Sequence, residues 1–388
     1  MKWIACFFYL TLRSVHTEGF NGTQDNAVSI IFVGDVSFGS CIMYYVNHGY
    51  NYYNDTLVKV AGPIKNADIA VGNLESPYVT KTMMKDSYKG RKNVYINAHP
   101  DSAAALRLAG FDIMSLANNH LNDFGEKPVN YTMKALADVG IKSFGTNFGE
   151  YDTPQRSVIL EKKGVKIGFL GYCDVYFRTR DSCSKIRKTY DAGPAIYSNR
   201  IAERDVQHLK GQGVDVVLVY MHWGREYRLR PNRRQKRIAE YLHSLGVSAV
   251  IGAHSHTLQP HSKTKNQLTV YSLGNFLFPQ HRTRFWIFRA KHARKVMRLT
   301  KKRIAEFERK ASTQVGPTTF SRILRLRVTR KGVESASYLP VQIKFDPTHK
   351  TLQPTLTNGT HWIEVCSPED KECSRMNDTR RKGKNLHL

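Results

Sequence analysis

A chain of 388 residues can bury one large core or two modest ones. Its formal net charge of +27 predicts anionic partners: phosphorylated molecules, polyanionic glycans, nucleic acid, or lipid headgroups. No apolar run reaches the roughly 18 residues that a spanning helix needs, so the sequence argues against an integral helical membrane protein.

The N-terminus reads as an export signal. Lys2 precedes the apolar run 3–12, and small or polar residues follow around 17–19, the pattern of a secretory signal peptide over 1–19. A buried N-terminal strand is the competing reading. A leader predicts a secreted protein or one in the lumen of the secretory pathway, where nucleic acid is not an expected partner. The triplets at Asn21, Asn54, Asn130, Asn358 and Asn377 fit N-glycosylation in that compartment. The cysteines agree. With Cys6 in the leader, Cys173/Cys183 and Cys366/Cys373 form close pairs suited to local disulfides, and Cys41 is left odd and buried.

From residue 29, short apolar runs alternate with amphipathic stretches. Runs at 29–33, 69–71, 111–116, 166–170, 214–220, 247–251 and 268–271 read as buried strands. Helices are predicted over 100–108, 129–139 and 231–245, each closing on a glycine (Gly110, Gly140, Gly246) suited to a C-cap. This rhythm predicts an α/β fold with a largely parallel sheet. An antiparallel hairpin follows at 324–329 and 336–345, then a polar, basic tail from about 350. One segment breaks the pattern. Residues 281–312 carry twelve Lys/Arg against two Glu, with Trp286, Ala290, Ala293, Met297, Thr300, Ile304, Phe307 and Ala311 at steps of three and four. That spacing puts them on one face of a basic amphipathic helix, which either packs on the body or meets a polyanion or acidic membrane surface.

Chemistry concentrates where the strands end. The first run ends in Asp35, the second in Glu75, the third in Asn118, Asn119 and His120. The fifth ends in His222 and the sixth in His254 and His256. Five buried strands thus deliver oxygen or nitrogen donors at their carboxyl ends, where open α/β sheets place their sites. Buried without partners, such groups would each cost several kcal/mol. Two carboxylates, a carboxamide and several imidazoles suit Mn, Fe or Zn.

The series GDVSFG, NLESP, ANNHLNDFG, VYMHWGREY, GAHSHTLQP and YSLGNF resembles the CapA (poly-γ-glutamate/capsule biosynthesis) family of the calcineurin-like metallophosphoesterase superfamily. The resemblance implies a sandwich of two mixed β-sheets flanked by helices over 27–280, with the metal site at strand C-terminal ends. A basic helical insertion (281–320) and a hairpin completing the domain (321–346) would follow, then the tail 350–388. It implies one or two divalent metal ions held by Asp35, Glu75, Asn119, His222, His254 and His256, with His120 catalytic. Where the superfamily usually has a histidine two residues after the first aspartate, this chain has Ser37, which leaves the ion count open. Glu75 binding bidentately is one way to compensate. Arg225, Arg228, Asn118 and Asn275 are expected to meet an anionic substrate.

The activity implied is metal-assisted hydrolysis, phosphoesterase-like. Two other readings stand beside it: a CapA-type accessory role in making, moving or hydrolysing an anionic polymer such as poly-γ-glutamate, and a non-catalytic polyanion-binding member of the fold.

Overall fold

The computed structural model describes residues 26–86, 94–148, 153–175, 183, 192–264, 266–279 and 301–366. The expected leader (1–19), residues 281–300 of the basic segment, Asn21, Cys373 and Asn377 lie outside the described residues. Among the described residues, seventeen strands run in chain order. The first half holds β1 (Val28–Val36), β2 (Ile69–Leu74), β3 (Ile113–Ser115), β4 (Lys142–Phe144), β5 (Thr146–Phe148), β6 (Val158–Lys162), β7 (Val165–Asp174), β8 (Ala192–Pro194) and β9 (Val216–Trp223). The second half holds β10 (Ala249–Ala253), β11 (His261–Lys263), β12 (Leu268–Val270), β13 (Asn275–Leu277), β14 (Phe320–Thr329), β15 (Gly332–Asp346), β16 (Thr351–Leu356) and β17 (Ile363–Glu364). The helices described are α1 (Ser40–Asn47), α2 (Ala61–Lys65), α3 (Ser102–Ala109), α4 (Glu126–Asp138), α5 (Asn199–Gly211), α6 (Arg233–Ser244) and α7 (Lys301–Ser312).

Fifteen of these strands make two mixed sheets rather than one largely parallel sheet, and β5 and β8 pair separately. The first runs β16-β15-β14-β1-β2-β3-β4, parallel from β1 to β4 and antiparallel beyond β14. The second runs β11-β12-β10-β9-β7-β6, with a parallel centre and antiparallel edges. Period-two alternation decides the layering. Ile30 and Phe32 of β1 pack against Ile167, Leu218 and Ile251 of the other sheet, while Ile31 and Val33 face Leu106 and Leu136 of α3 and α4. On the far side, Val217 and Val219 of β9 meet Val206 of α5 and Leu242 of α6. The result is helix, sheet, sheet, helix: the two-sheet sandwich that the resemblance implies.

The three glycines expected to end helices all sit at positive φ, from 76° to 103°, the left-handed conformation a helix stop needs. The hairpin is present as β14–β15, with Leu324 opposite Tyr338. Residues 351–364, expected in a polar tail, instead extend this sheet through β16 and β17 on β15. Thr351, Leu352 and Gln353 are buried there, so short apolar content was enough once a strand edge was available. Of the basic segment, α7 packs inward. Phe307 lies 5.4 Å from the ring of Phe345, and Glu308 accepts from the Tyr45 hydroxyl and pairs with Lys350.

Candidate metal centre

Asp35, Glu75, His222, His254 and His256, drawn from both sheets, meet between the carboxyl ends of the central strands. Their backbones are placed by close approaches that only glycine permits. A Cβ on Gly34 would lie 1.9 Å from the Gly274 carbonyl oxygen, and one on Gly252 would lie 2.0 Å from that of Tyr271. Asp35 follows the first glycine and donates its N–H to Gly274 O. His254 follows the second by two residues. His254 and His256 themselves hold φ of 81° and 54°, a conformation costly for side-chain-bearing residues and frequent at functional sites. Glu75 is fixed by its N–H, which donates to Val36 O at 2.9 Å.

Two groups of donors result. Glu75, His222 and His254 offer atoms within 4.8 Å of one another, as do Asp35, Glu75 and His256. Glu75 belongs to both. Its Oε1 is 3.7 Å from His222 Nε2, 3.9 Å from His256 Nε2 and 4.0 Å from His120 Nε2. Asn119 Oδ1 lies 2.8 Å from His222 Nε2, so the amide belongs to the first group. All of these side chains are buried.

Burial pushes the Asp35 carboxyl up from the ordinary carboxylate range, against the pull of His256 and the Asn73 hydrogen bond. Its ion-pair partners among the described residues are histidines alone. Burial likewise pushes His254 down to about 3, leaving a neutral imidazole able to coordinate. Fully buried carboxylates among buried imidazoles fit a cation, which would offset their desolvation and use the lone pairs on offer.

Asp35 and His256 each have a brace. Asn73 donates to Asp35 Oδ1 at 2.8 Å, and Asn118 donates in turn to Asn73 Oδ1 and Leu74 O. Asn275 Oδ1 lies 2.8 Å from His256 Nδ1, and its amide donates to Thr318 O. Asn118 and Asn275, expected at the substrate, are buried and hydrogen-bonded within the protein beside the candidate ligands. Such partners would fix the orientation of the candidate ligands once a metal is bound. Ser37 stays out of the cluster: its N–H donates to Leu277 O and its hydroxyl accepts from Gly39 N–H. His120 Nδ1 lies 2.8 Å from Asp123 Oδ2, a carboxylate that also accepts from Ile96 N–H. Trp223, next to His222, is buried and donates its indole N–H to Tyr271 O at 2.9 Å.

Asn73 and Asp123 were missed in the sequence. The rule that picked Glu75, a polar group at the end of a buried run, applies equally to Asn73 two residues earlier. Asp123 had only its position three residues after His120 to mark it. Arg225 and Arg228 line a cavity beside the cluster, on the loop after β9.

Fold and site together define a two-sheet α/β protein built around strand-end metal donors. Residues 29–280 match the model of the bacterial capsule synthesis protein PGA_cap family, and the chain belongs to that family. The capsule biosynthesis protein CapA of Bacillus anthracis is 30% identical over 264 residues, 67% of this chain and 62% of that protein. The match thus spans less than two thirds of that relative's length. The PGA biosynthesis protein CapA of Bacillus subtilis (strain 168) is 27% identical over 284 residues, 73% of this chain and 71% of that one. Among solved structures, the calcineurin-like phosphoesterase YfkN from Bacillus subtilis is similar with a TM-score of 0.42 at 16% identity, covering 91% of this chain and 98% of that one.

Proposed function

We propose that this chain is a secreted, metal-dependent hydrolase that acts on an anionic polymer. One observation carries the reading: two overlapping groups of buried donors share Glu75 between two sheets. Asp35, Glu75, Asn119, His222, His254 and His256 would hold the metal, Mn, Fe or Zn. A bound divalent ion lowers the pKa of water from 15.7 to about 7 and polarises a substrate oxygen. The remaining work belongs to side chains. Asn73 and Asn275 hold Asp35 and His256 in place, so the donors need little rearrangement on loading. Asp123 holds His120 through Nδ1, which turns Nε2 toward Glu75 and the centre. From there His120 can give a proton to the leaving group.

A polymer rather than a small phosphoester is favoured by the relatives, named for capsule and PGA biosynthesis. An accessory role in synthesis or transport of such a polymer is the second reading, favoured by relatives in Mycobacterium tuberculosis named as probable polyglutamine synthesis accessory proteins. The test measures bound metal and hydrolysis together, on poly-γ-glutamate and on an aryl phosphate, with and without added Mn. Glu75→Ala should lose more metal than Asp35→Ala or His254→Ala, since it serves both groups. Metal-loaded protein that cleaves neither substrate would leave the accessory reading standing. Purified protein that takes up no divalent ion would sink both the metal and the hydrolase.

A further inference from the structure

Beside the donor cluster lies a cavity of about 490 Å3 whose wall includes five arginines: Arg225, Arg228, Arg230, Arg233 and Arg234. The acid in that wall is Asp174, at the end of β7, so four positive charges are in excess. The cavity is built rather than incidental. Its arginine loop is tied to the histidine loop by the Tyr227 N–H, which donates to Ser255 O at 2.8 Å. Thr257 Oγ1 and Gln259 Nε2 both donate to Arg228 O. The ring of Tyr227 sits 6.1 Å from that of His256. On the other side, Asn232 caps α6 reciprocally with Gln235, and the helix N-terminus adds its own positive end to the cavity. Asp174 is held next to Cys173, which is disulfide-bonded to Cys183.

One carboxylate already shows how the cavity binds. Asp174 accepts two hydrogen bonds from Arg234, Nε to Oδ2 at 2.8 Å and Nη2 to Oδ1 at 2.6 Å, the forked geometry that guanidinium and carboxylate share. The side chains of Arg228, Arg230 and Arg233 make no hydrogen bond or ion pair among the described residues. These forks are spread along a loop and a first helical turn, an arrangement that matches carboxylates repeated along a chain better than one compact multivalent anion.

We propose that this arginine cavity is a docking subsite for a chain of repeated carboxylates, holding the units that flank the one at the metal centre. Asp174 on Arg234 is the internal stand-in for such a unit. The proposal rests on the polymer reading above but not on hydrolysis or on metal binding.

The test uses the full-length protein and fluorescent oligo-γ-glutamate, followed by anisotropy, with monomeric glutamate and polyphosphate as competitors. Replacing Arg228, Arg230 and Arg233 together by Ala should weaken oligoglutamate binding by roughly tenfold to a hundredfold. Replacing the same three by Lys should restore only part of it, because charge returns without the fork. Removing equal charge elsewhere, through Lys59→Ala, Lys127→Ala and Lys331→Ala, should change affinity by less than about threefold. Thermal melting and metal content of each variant exclude misfolding and loss of the centre. Equal loss in the two alanine triples, full restoration by Lys, or polyphosphate displacing the probe far better than unlabelled oligoglutamate would each overturn the proposal. Repeating the titration on chelated wild-type protein separates the two sites: a failed metal centre leaves this binding intact, and a failed cavity leaves the metal intact.

Discussion

At the scale of single residues, His120 and the histidines of the cluster have different hydrogen-bond partners although all are buried. His222, His254 and His256 turn nitrogens toward one another or toward carboxylates of the donor groups, whereas His120, though its Nε2 is 4.0 Å from Glu75, is held through Nδ1 by Asp123, outside both groups. His120→Ala should therefore keep its metal and lower turnover by roughly 10²–10⁴-fold. Asp123→Asn should lower turnover by a smaller factor, because the imidazole remains but its orientation and charge partner do not. Metal analysis beside steady-state rates checks both. Loss of metal in His120→Ala as complete as in Asp35→Ala would move His120 into the coordination set.

At the scale of elements, the disulfide joins the end of β7 to Cys183, and Asp174 stands directly beside it. Peptide mapping of mature protein should find Cys173 and Cys183 linked. Cys183→Ser should cost about 2–3 kcal/mol, since the loop it closes is short. Two free thiols in secreted material would contradict both the bond and the compartment. Cys366 is disulfide-bonded too, while Cys41 is free and buried. Helix α7 yields a second prediction: Phe307→Ala should lower stability by about 2 kcal/mol in a denaturant melt, because its ring packs between Tyr45 and Phe345. An unchanged midpoint would mean that the helix leaves the body in solution.

The central strands and their terminal donors were legible because a charged group at the end of a buried apolar run is costly unless something pairs with it. Edge strands were not. β6 has only the short run Val158-Ile159-Leu160 before Glu161-Lys162, half exposed, and β11 is three polar residues with no apolar run. Helix α5 hid for a related reason. It buries a narrow stripe of Ala202, Val206 and Leu209 within a charged sequence, and its start rests on Ser198 accepting from Ile201 N–H. The division into two sheets was illegible from periodicity alone, since Ile30 and Ile31 look alike until their opposite faces meet different layers.

Across the whole molecule, the candidate centre is a junction. Asp35, Glu75, Asn119 and His120 come from the first sheet and its following loops, and His222, His254 and His256 from the second. Tyr220 of β9 adds a buried hydrogen bond across the same gap, to Val33 O at 2.7 Å. A cation bound there stabilises the native state alone, by about 2.7 kcal/mol at a hundredfold excess over its Kd. Chelation should therefore lower the melting temperature of wild-type protein, and Glu75→Ala should abolish the difference. A melting point indifferent to chelator would separate any bound metal from the sandwich.

Trp223 gives this architecture an optical consequence. Its indole is sealed from water, stacked 6.1 Å from the Tyr271 ring and one residue along the chain from His222. Such a fluorophore emits to the blue and answers to its immediate surroundings. Open-shell ions quench nearby indoles and closed-shell ions do not, so Mn and Zn should write different emission intensities onto the same folded protein. With the other three tryptophans replaced by Phe, Trp223 would serve as a built-in spectroscopic label for whichever divalent ion the cluster takes up.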